Sequence, residues 1–230
     1  MSSISDHLER VLERIARAAA RAGRAAEDVT LVAVTKTQPA EAIRDAVAAG
    51  VRVVGENRVQ EAAQKVDAVA GDVSWHLVGH LQRNKVRAAL NLFDLIHSVD
   101  NLRLAQEIGK RAAQAGQRAQ VLLQVNTSGA ASQFGVEPDA AVDLAGRISE
   151  IGGIAVEGLM TIGAFLPDPD AVRPCFVRLR ALRDKITASH IPGVAMTHLS
   201  MGMTSDFEVA VEEGATLVRV GTAIFGARSG

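Results

Sequence analysis

The stretch "TLVAVTKTQPAEAIRDAVAAGVRVVGE", residues 30–56, holds one complete strand–helix–strand unit. A β-branched, apolar run over 30–35 stops at Lys36, and Thr37, Gln38 and Pro39 end the extended segment. Residues 39–49 then carry helical periodicity, and a second β-branched run follows at 51–55. A strand returned to a strand through a helix implies parallel pairing, because the crossover brings the chain back to its starting end of the sheet.

The same alternation continues in both directions. Further strands are predicted at 74–79, 94–98, 120–126, 154–161, 196–200 and 216–221. Helices are predicted at 57–70, 82–90, 101–115, 137–151, 169–188 and 206–213, with a short last helix at 222–226. Before the first strand, Ile4, Leu8, Val11, Leu12 and Ile15 form the apolar face of an amphipathic helix. Eight strand–helix units in about 200 residues close into a (β/α)8 barrel. The predicted fold is therefore α/β, a single TIM barrel over residues 1–230 with an extra N-terminal amphipathic helix. The rival, an open doubly wound sheet, lacks its marker, a G-x-G-x-x-G after the first strand.

Composition narrows the function. A formal charge of −1 and a pI near 6.6 argue against a dedicated nucleic-acid binder. Cys175 is the only cysteine, which excludes an internal disulfide and suits a reducing, cytoplasmic setting. The N-terminus lacks the apolar core of a signal peptide, and no apolar run reaches the roughly 20 residues needed to span a bilayer. The chain contains no tyrosine.

In such a barrel the active site is built where the strands end. Those ends are polar here: Lys36, Glu56 with Asn57, His80, Ser98, Asn126 with Thr127, Thr161, Ser200 and Arg219. In "LVRVGTAIFG", residues 217–226, alternation puts Leu217, Arg219 and Gly221 on the face opposite Val218 and Val220. Arg219 then points into the barrel, where its guanidinium needs acceptors from an internal salt bridge or from a ligand. Gly221 and Thr222 offer a close backbone approach, a hydroxyl and helix-start N–H groups, the parts of a phosphate cradle. The adjacent loop in "THLSMGMTSDFEVAVEEGA", residues 197–215, adds Ser200 and backbone amides, with Ser205 or Asp206 expected to cap the following helix. Lys36 comes from the strand neighbouring the last one. Partly desolvated and near a cation, its amine would have a lowered pKa and act as a nucleophile toward carbonyls. A ligand with an aldehyde at one end and a phosphate at the other satisfies all three groups. Pyridoxal 5′-phosphate is such a molecule, with its ring nitrogen facing Arg219. A phosphosugar aldolase using a Schiff-base lysine would call for the same lysine and phosphate site.

The motifs "AVTKTQP", "GENRVQEAAQK", "WHLVGHLQRNK", "HSVDN", "GLMTIG", "LSMGM" with "SDFEVAVEEGAT", and "VRVGTAIFGAR" run in order from residue 33 to residue 228. Together they resemble the pyridoxal-phosphate homeostasis protein family (YggS/PROSC-like), related to the N-terminal barrel of alanine racemase. The resemblance implies a Schiff base on Lys36, Arg219 opposite the ring nitrogen, and phosphate contacts from Ser200, Gly221 and Thr222. It also implies Asn57 and Met160 in the pocket wall. The implied role is to hold the reactive cofactor, and to pass it to apo-enzymes, without established turnover. Two positions where family members carry lysine are Gln38 and Gln133 here.

The alternative is a weak racemase or related PLP enzyme. Racemisation needs acid/base groups on both faces of the substrate carbon. In the related racemases the second is a tyrosine contributed with a second domain, whereas this chain has no tyrosine and ends at Gly230, after the last barrel helix. His76 and His80 are expected to be hydrogen-bonded structural residues. An arginine at the ring nitrogen would leave it unprotonated and the ring a poor electron sink. The basic "LQRNKVR" at 81–87 reads as a solvated helix start, Trp75 and Phe207 as core or cover, Cys175 as unconnected to any metal spacing, and the chain as a monomer.

Overall fold

A computed structural model of the protein describes residues 3–69 and 71–226. Eight parallel strands, β1 (Thr30–Val34), β2 (Val53–Glu56), β3 (Ser74–Leu77), β4 (Leu95–Val99), β5 (Ala119–Gln124), β6 (Ile154–Met160), β7 (Val194–Ser200) and β8 (Leu217–Val220), close into a barrel in chain order. Closure comes from β1 pairing with β8, Val32 opposite Arg219. The barrel expected from the alternating pattern is the one observed.

Helix α1 (Ile4–Arg21) precedes the barrel, begun by a capping box in which Ser3 and Asp6 exchange hydrogen bonds. The helices α2 (Ala40–Ala48), α3 (Val59–Ala63), α4 (Val86–Leu90), α5 (Leu102–Gln114), α6 (Ala141–Ser149), α7 (Arg173–Ala188) and α8 (Phe207–Glu212) connect the strands. A last turn, α9 (Thr222–Phe225), follows β8. Several are shorter than the periodicity predicts, because 3₁₀ turns take over part of the segment. The predicted helix over 57–70 is α3 plus a 3₁₀ turn at Val66–Ala68, and that over 82–90 opens with a 3₁₀ turn at Arg83–Lys85.

Two cores follow from strand alternation. Val32, Leu95, Leu122, Met160 and Leu217 point inward and fill the barrel, while the larger core lies between strands and helices. Helix α1 lies against α8 and α9. There Arg14 meets Glu208 at 2.7 Å and sits over the Phe207 ring, and His7 Nδ1 meets the Ile224 carbonyl at 2.9 Å. Trp75, Phe207 and Cys175 are buried. Among the described residues no helix is long and apolar enough to cross a membrane, and no group of side chains is arranged to hold a metal ion.

Candidate functional site

The strand ends open onto a cavity of about 520 Å³, within the range of small-molecule sites. Lys36, Asn57, Arg219, Gly221 and Thr222 all line it. Val34, Val78, Ile162 and Phe165 supply apolar wall, and Met203, Thr204 and Ser205 come from the loop after β7. Five of the seven predicted site residues thus share one cavity. The side of Gly221 faces the β1 backbone so closely that a Cβ would lie 3.1 Å from the Val34 carbonyl oxygen. The first turn of α9 uses the N–H groups of Ile224, Phe225 and Gly226, so those of Thr222 and Ala223 have no carbonyl within the turn.

Arg219 reaches inward from β8 and is 5% exposed. Its Nη1 donates to Ser200 Oγ at 2.7 Å and its Nη2 to the Thr161 carbonyl at 2.8 Å. No salt bridge involves it among the described residues, so both acceptors are neutral. Burial pushes its pKa down to about 10, against the pull of Asp206. A guanidinium has five N–H donors, so these two bonds leave donors for an occupant of the cavity.

Ser200 continues the chain of polar groups beneath the floor. Its Oγ lies 2.9 Å from His97 Nδ1, and His97 Nε2 lies 3.0 Å from His76 Nδ1. One assignment satisfies every contact: Arg219 donates to Ser200, the Ser200 hydroxyl donates to His97 Nδ1, and His97 Nε2–H donates to His76. Both imidazoles are then neutral. Burial pushes His76 down to about 4, and burial with the neighbouring His76, Arg219 and His198 holds His97 well below the ordinary histidine range.

Several expectations need correction. Ser200 is fully buried with its hydroxyl engaged by Arg219 and His97, and Met160 packs inside the barrel; neither lines the cavity. The hydroxyls of the β7–α8 loop that do line it belong to Thr204 and Ser205. Lys36 is exposed at the rim rather than partly buried. Asp206 stands at the N-cap of α8 without a side-chain cap; its carboxylate instead accepts from Met203 N–H at 2.6 Å and folds the loop. Ser98 lies within β4, buried, rather than at a strand end, and its Oγ has no partner.

His76 is a hydrogen-bonded interior residue, as expected, and His80 sits exposed outside the cavity, stacked on Phe134 with ring centroids 4.1 Å apart. Of the two replaced lysines, Gln38 lines the cavity. Gln133 ties the β5–α6 loop to the β6–α7 loop by donating to the Gly163 carbonyl at 2.8 Å. Sequence reasoning missed His97, hidden inside the short strand predicted at 94–98. It also missed Phe165, 74% exposed, although the Pro-rich segment beside it signals a loop at this end of the barrel.

A parallel eight-stranded barrel with a lysine, an arginine and a Gly-Thr turn around one mouth defines a class, and comparison with known proteins agrees: residues 7–229 match the alanine racemase N-terminal domain. A pyridoxal phosphate homeostasis protein of Aquifex aeolicus is 46% identical, with 97% of each chain covered. The chain belongs to the pyridoxal phosphate homeostasis protein family. The structure of PipY from Synechococcus elongatus with PLP bound is 36% identical and superimposes with a TM-score of 0.85, covering 97% of this chain and 100% of that one. Alanine racemase of Clostridium difficile shares the fold alone: 16% identity, TM-score 0.75, with 98% of this chain covering 57% of the racemase.

Proposed function

We propose that the protein binds pyridoxal 5′-phosphate at the barrel mouth and serves in intracellular PLP homeostasis as a holder of the cofactor, without catalytic turnover. The observation that carries this reading is the meeting of Lys36, Arg219, Gly221 and Thr222 around one cavity. When bound, the cofactor supplies an aldehyde that condenses with amines and a pyridine ring able to accept electron density.

Each residue has a part that its chemistry suits. Lys36 Nζ is the amine available to the aldehyde. Arg219 offers N–H donors and no acceptor, so a ring nitrogen facing it is held without a proton. Thr222, Thr204, Ser205 and the backbone at Gly221 are suited to a phosphate group. Val34, Val78 and Ile162 give a flat ring apolar surface and keep water from it. Asn57 stands beside them.

The absence of turnover is supported by what surrounds Lys36. The chain has no tyrosine, and neither His76 nor His80 lines the cavity. No second acid/base group therefore stands opposite Lys36 among the residues that sequence reasoning put forward. A single barrel domain acting as a monomer in the cytoplasm, handing the cofactor to apo-enzymes, completes the proposal.

The test is to add PLP, reduce with borohydride and map the labelled peptide. Label at Lys36, absent in Lys36→Ala, is expected; a protein that stays colourless and unlabelled overturns the reading. Exchange of an amino acid's α-proton in deuterated water, at a robust rate, would favour the weak-racemase alternative instead.

A further inference from the structure

The last sheet bond of β1 is Thr35 N–H to the Gly55 carbonyl, at 2.9 Å. Lys36 lies one residue beyond it, and its side chain takes part in no hydrogen bond or ion pair among the described residues. What is held fixed is therefore the root of the side chain, which its backbone sets. That backbone is gripped from both sides by residues that follow β2. Lys65 Nζ donates to the Thr35 carbonyl at 3.0 Å, and Glu61 Oε2 accepts from Thr37 N–H at 3.2 Å. Lys65 is in turn anchored by Glu56 Oε1 at 2.7 Å, the same oxygen that accepts from Thr35 Oγ1 at 2.7 Å. Glu56 is fully buried, so this anchor is part of the core.

Thr37 has φ +64°, a conformation that a β-branched residue rarely adopts. A turn bond from Gln38 N–H to the Thr35 carbonyl at 3.0 Å spans Lys36 and Thr37, and the bond from the Thr37 N–H to Glu61 adds to that hold. Glu61 also lies 3.9 Å from Lys65 and 3.7 Å from Arg58, both within ion-pair range of its carboxylate.

We infer that Glu61 and Lys65 are positioning residues for Lys36, fixing the peptide groups on either side of it so that its amine is presented to the cavity. The assignment rests on Lys36 being the group that bonds the aldehyde. Without Glu61, Thr37 keeps only the turn bond that spans it and relaxes more readily to negative φ. The root of Lys36 then turns, and the amine spends less time within reach of a ligand seated between Arg219 and Thr222.

Glu61 is half-buried at the surface, so Glu61→Ala leaves the buried Glu56–Lys65 pair intact and the fold secure. Two measurements on the full chain test the proposal. The first is amide hydrogen exchange at Thr37 in the cofactor-free protein, expected to speed up in Glu61→Ala and to stay slow in Glu61→Gln, whose amide oxygen still accepts. The second is the rate at which PLP bonds to Lys36, expected to fall about tenfold in Glu61→Ala and to recover in Glu61→Gln. Affinity for 4′-deoxypyridoxine 5′-phosphate, which lacks the aldehyde, should stay unchanged throughout. Wild-type rate and exchange in Glu61→Ala would overturn the positioning role and leave the cofactor reading intact. A wild-type protein that binds the analogue yet never bonds PLP at Lys36 would overturn the role of Lys36, and the positioning role with it.

Discussion

Arg219 Nη1 donates to Ser200 Oγ across 2.7 Å, at the floor of the cavity where Ser200 is fully buried and Arg219 is 5% exposed. This bond makes Ser200 a support for Arg219 rather than a wall of the cavity. Ser200→Ala would leave two buried groups without a partner, the guanidinium Nη1 and His97 Nδ1. A cost of about 3 kcal/mol in urea unfolding is expected. Competition by inorganic phosphate for the cavity should change little. Thr222→Val should do the reverse, weakening phosphate competition with stability nearly unchanged. A Ser200→Ala protein of wild-type stability that loses phosphate binding would return Ser200 to the phosphate contact first expected of it.

The neutral histidines below Ser200 give stability a specific pH dependence. The folded-state pKa of His76 is about 4, and His97 is lowered in the same direction. In the unfolded chain both titrate near 6.5. Between these values the unfolded chain binds more protons, so stability falls as pH drops from about 6.5 to about 4, and His76 adds no further loss below that. Its share is roughly 3 kcal/mol. Urea unfolding at pH 7, 5.5 and 4 should show this loss in the wild type. In His76→Gln, whose amide oxygen still accepts from His97, the loss should be smaller by about that amount. Equal slopes in the two proteins would show that His76 is protonated in the fold.

What could be read from the sequence and what could not divide along physical lines. Strand positions were legible because short β-branched runs are punctuated by helices, and the inward direction of Arg219 followed from alternation with Val218 and Val220. Lys36 and the Gly221–Thr222 turn were legible because they end strands, where a barrel puts its chemistry. His97 was not. In a closed parallel barrel both faces of β4 are buried, so the burial of its neighbours does not say which way a histidine points. Ser200 was placed on the right strand end but on the wrong side of the floor, because one residue decides whether a side chain meets the cavity or the core. The partners of Thr35 and Thr37 were also hidden: Glu61 and Lys65 lie more than 20 residues further along the chain, and nothing local to them shows that they reach back to β1.

The pocket wall at Gly221 is a matter of space. Its φ of −118° is negative, so a left-handed backbone is not what calls for glycine there. The added Cβ would sit 3.1 Å from the Val34 carbonyl oxygen, tight enough to push β8 from β1 at the mouth. Gly221→Ala is expected to cost about 1 kcal/mol in stability. Affinity for 4′-deoxypyridoxine 5′-phosphate, measured by calorimetry, should fall roughly tenfold as the cradle opens. Unchanged affinity would place the phosphate away from Gly221.

The Glu56–Lys65 pair offers the sharpest stability test. Glu56 is fully buried, with Oε1 shared between Lys65 Nζ and Thr35 Oγ1 and with Oε2 lacking a partner. Removing Lys65 therefore strands a carboxylate in the core. Lys65→Met, which keeps the length of the side chain, should cost about 3–5 kcal/mol, far more than the loss of an exposed ion pair. Glu56→Gln added to Lys65→Met removes the charge while leaving an acceptor for Thr35, so the double variant should recover much of that loss. The coupling between the two sites in a double-mutant cycle of urea unfolding is then large and favourable to the pair. Additive costs would mean that water reaches Glu56 and that the pair behaves as a surface contact. In that case Thr35 would lose its rigid anchor, and the presentation of Lys36 would depend on Glu61 alone.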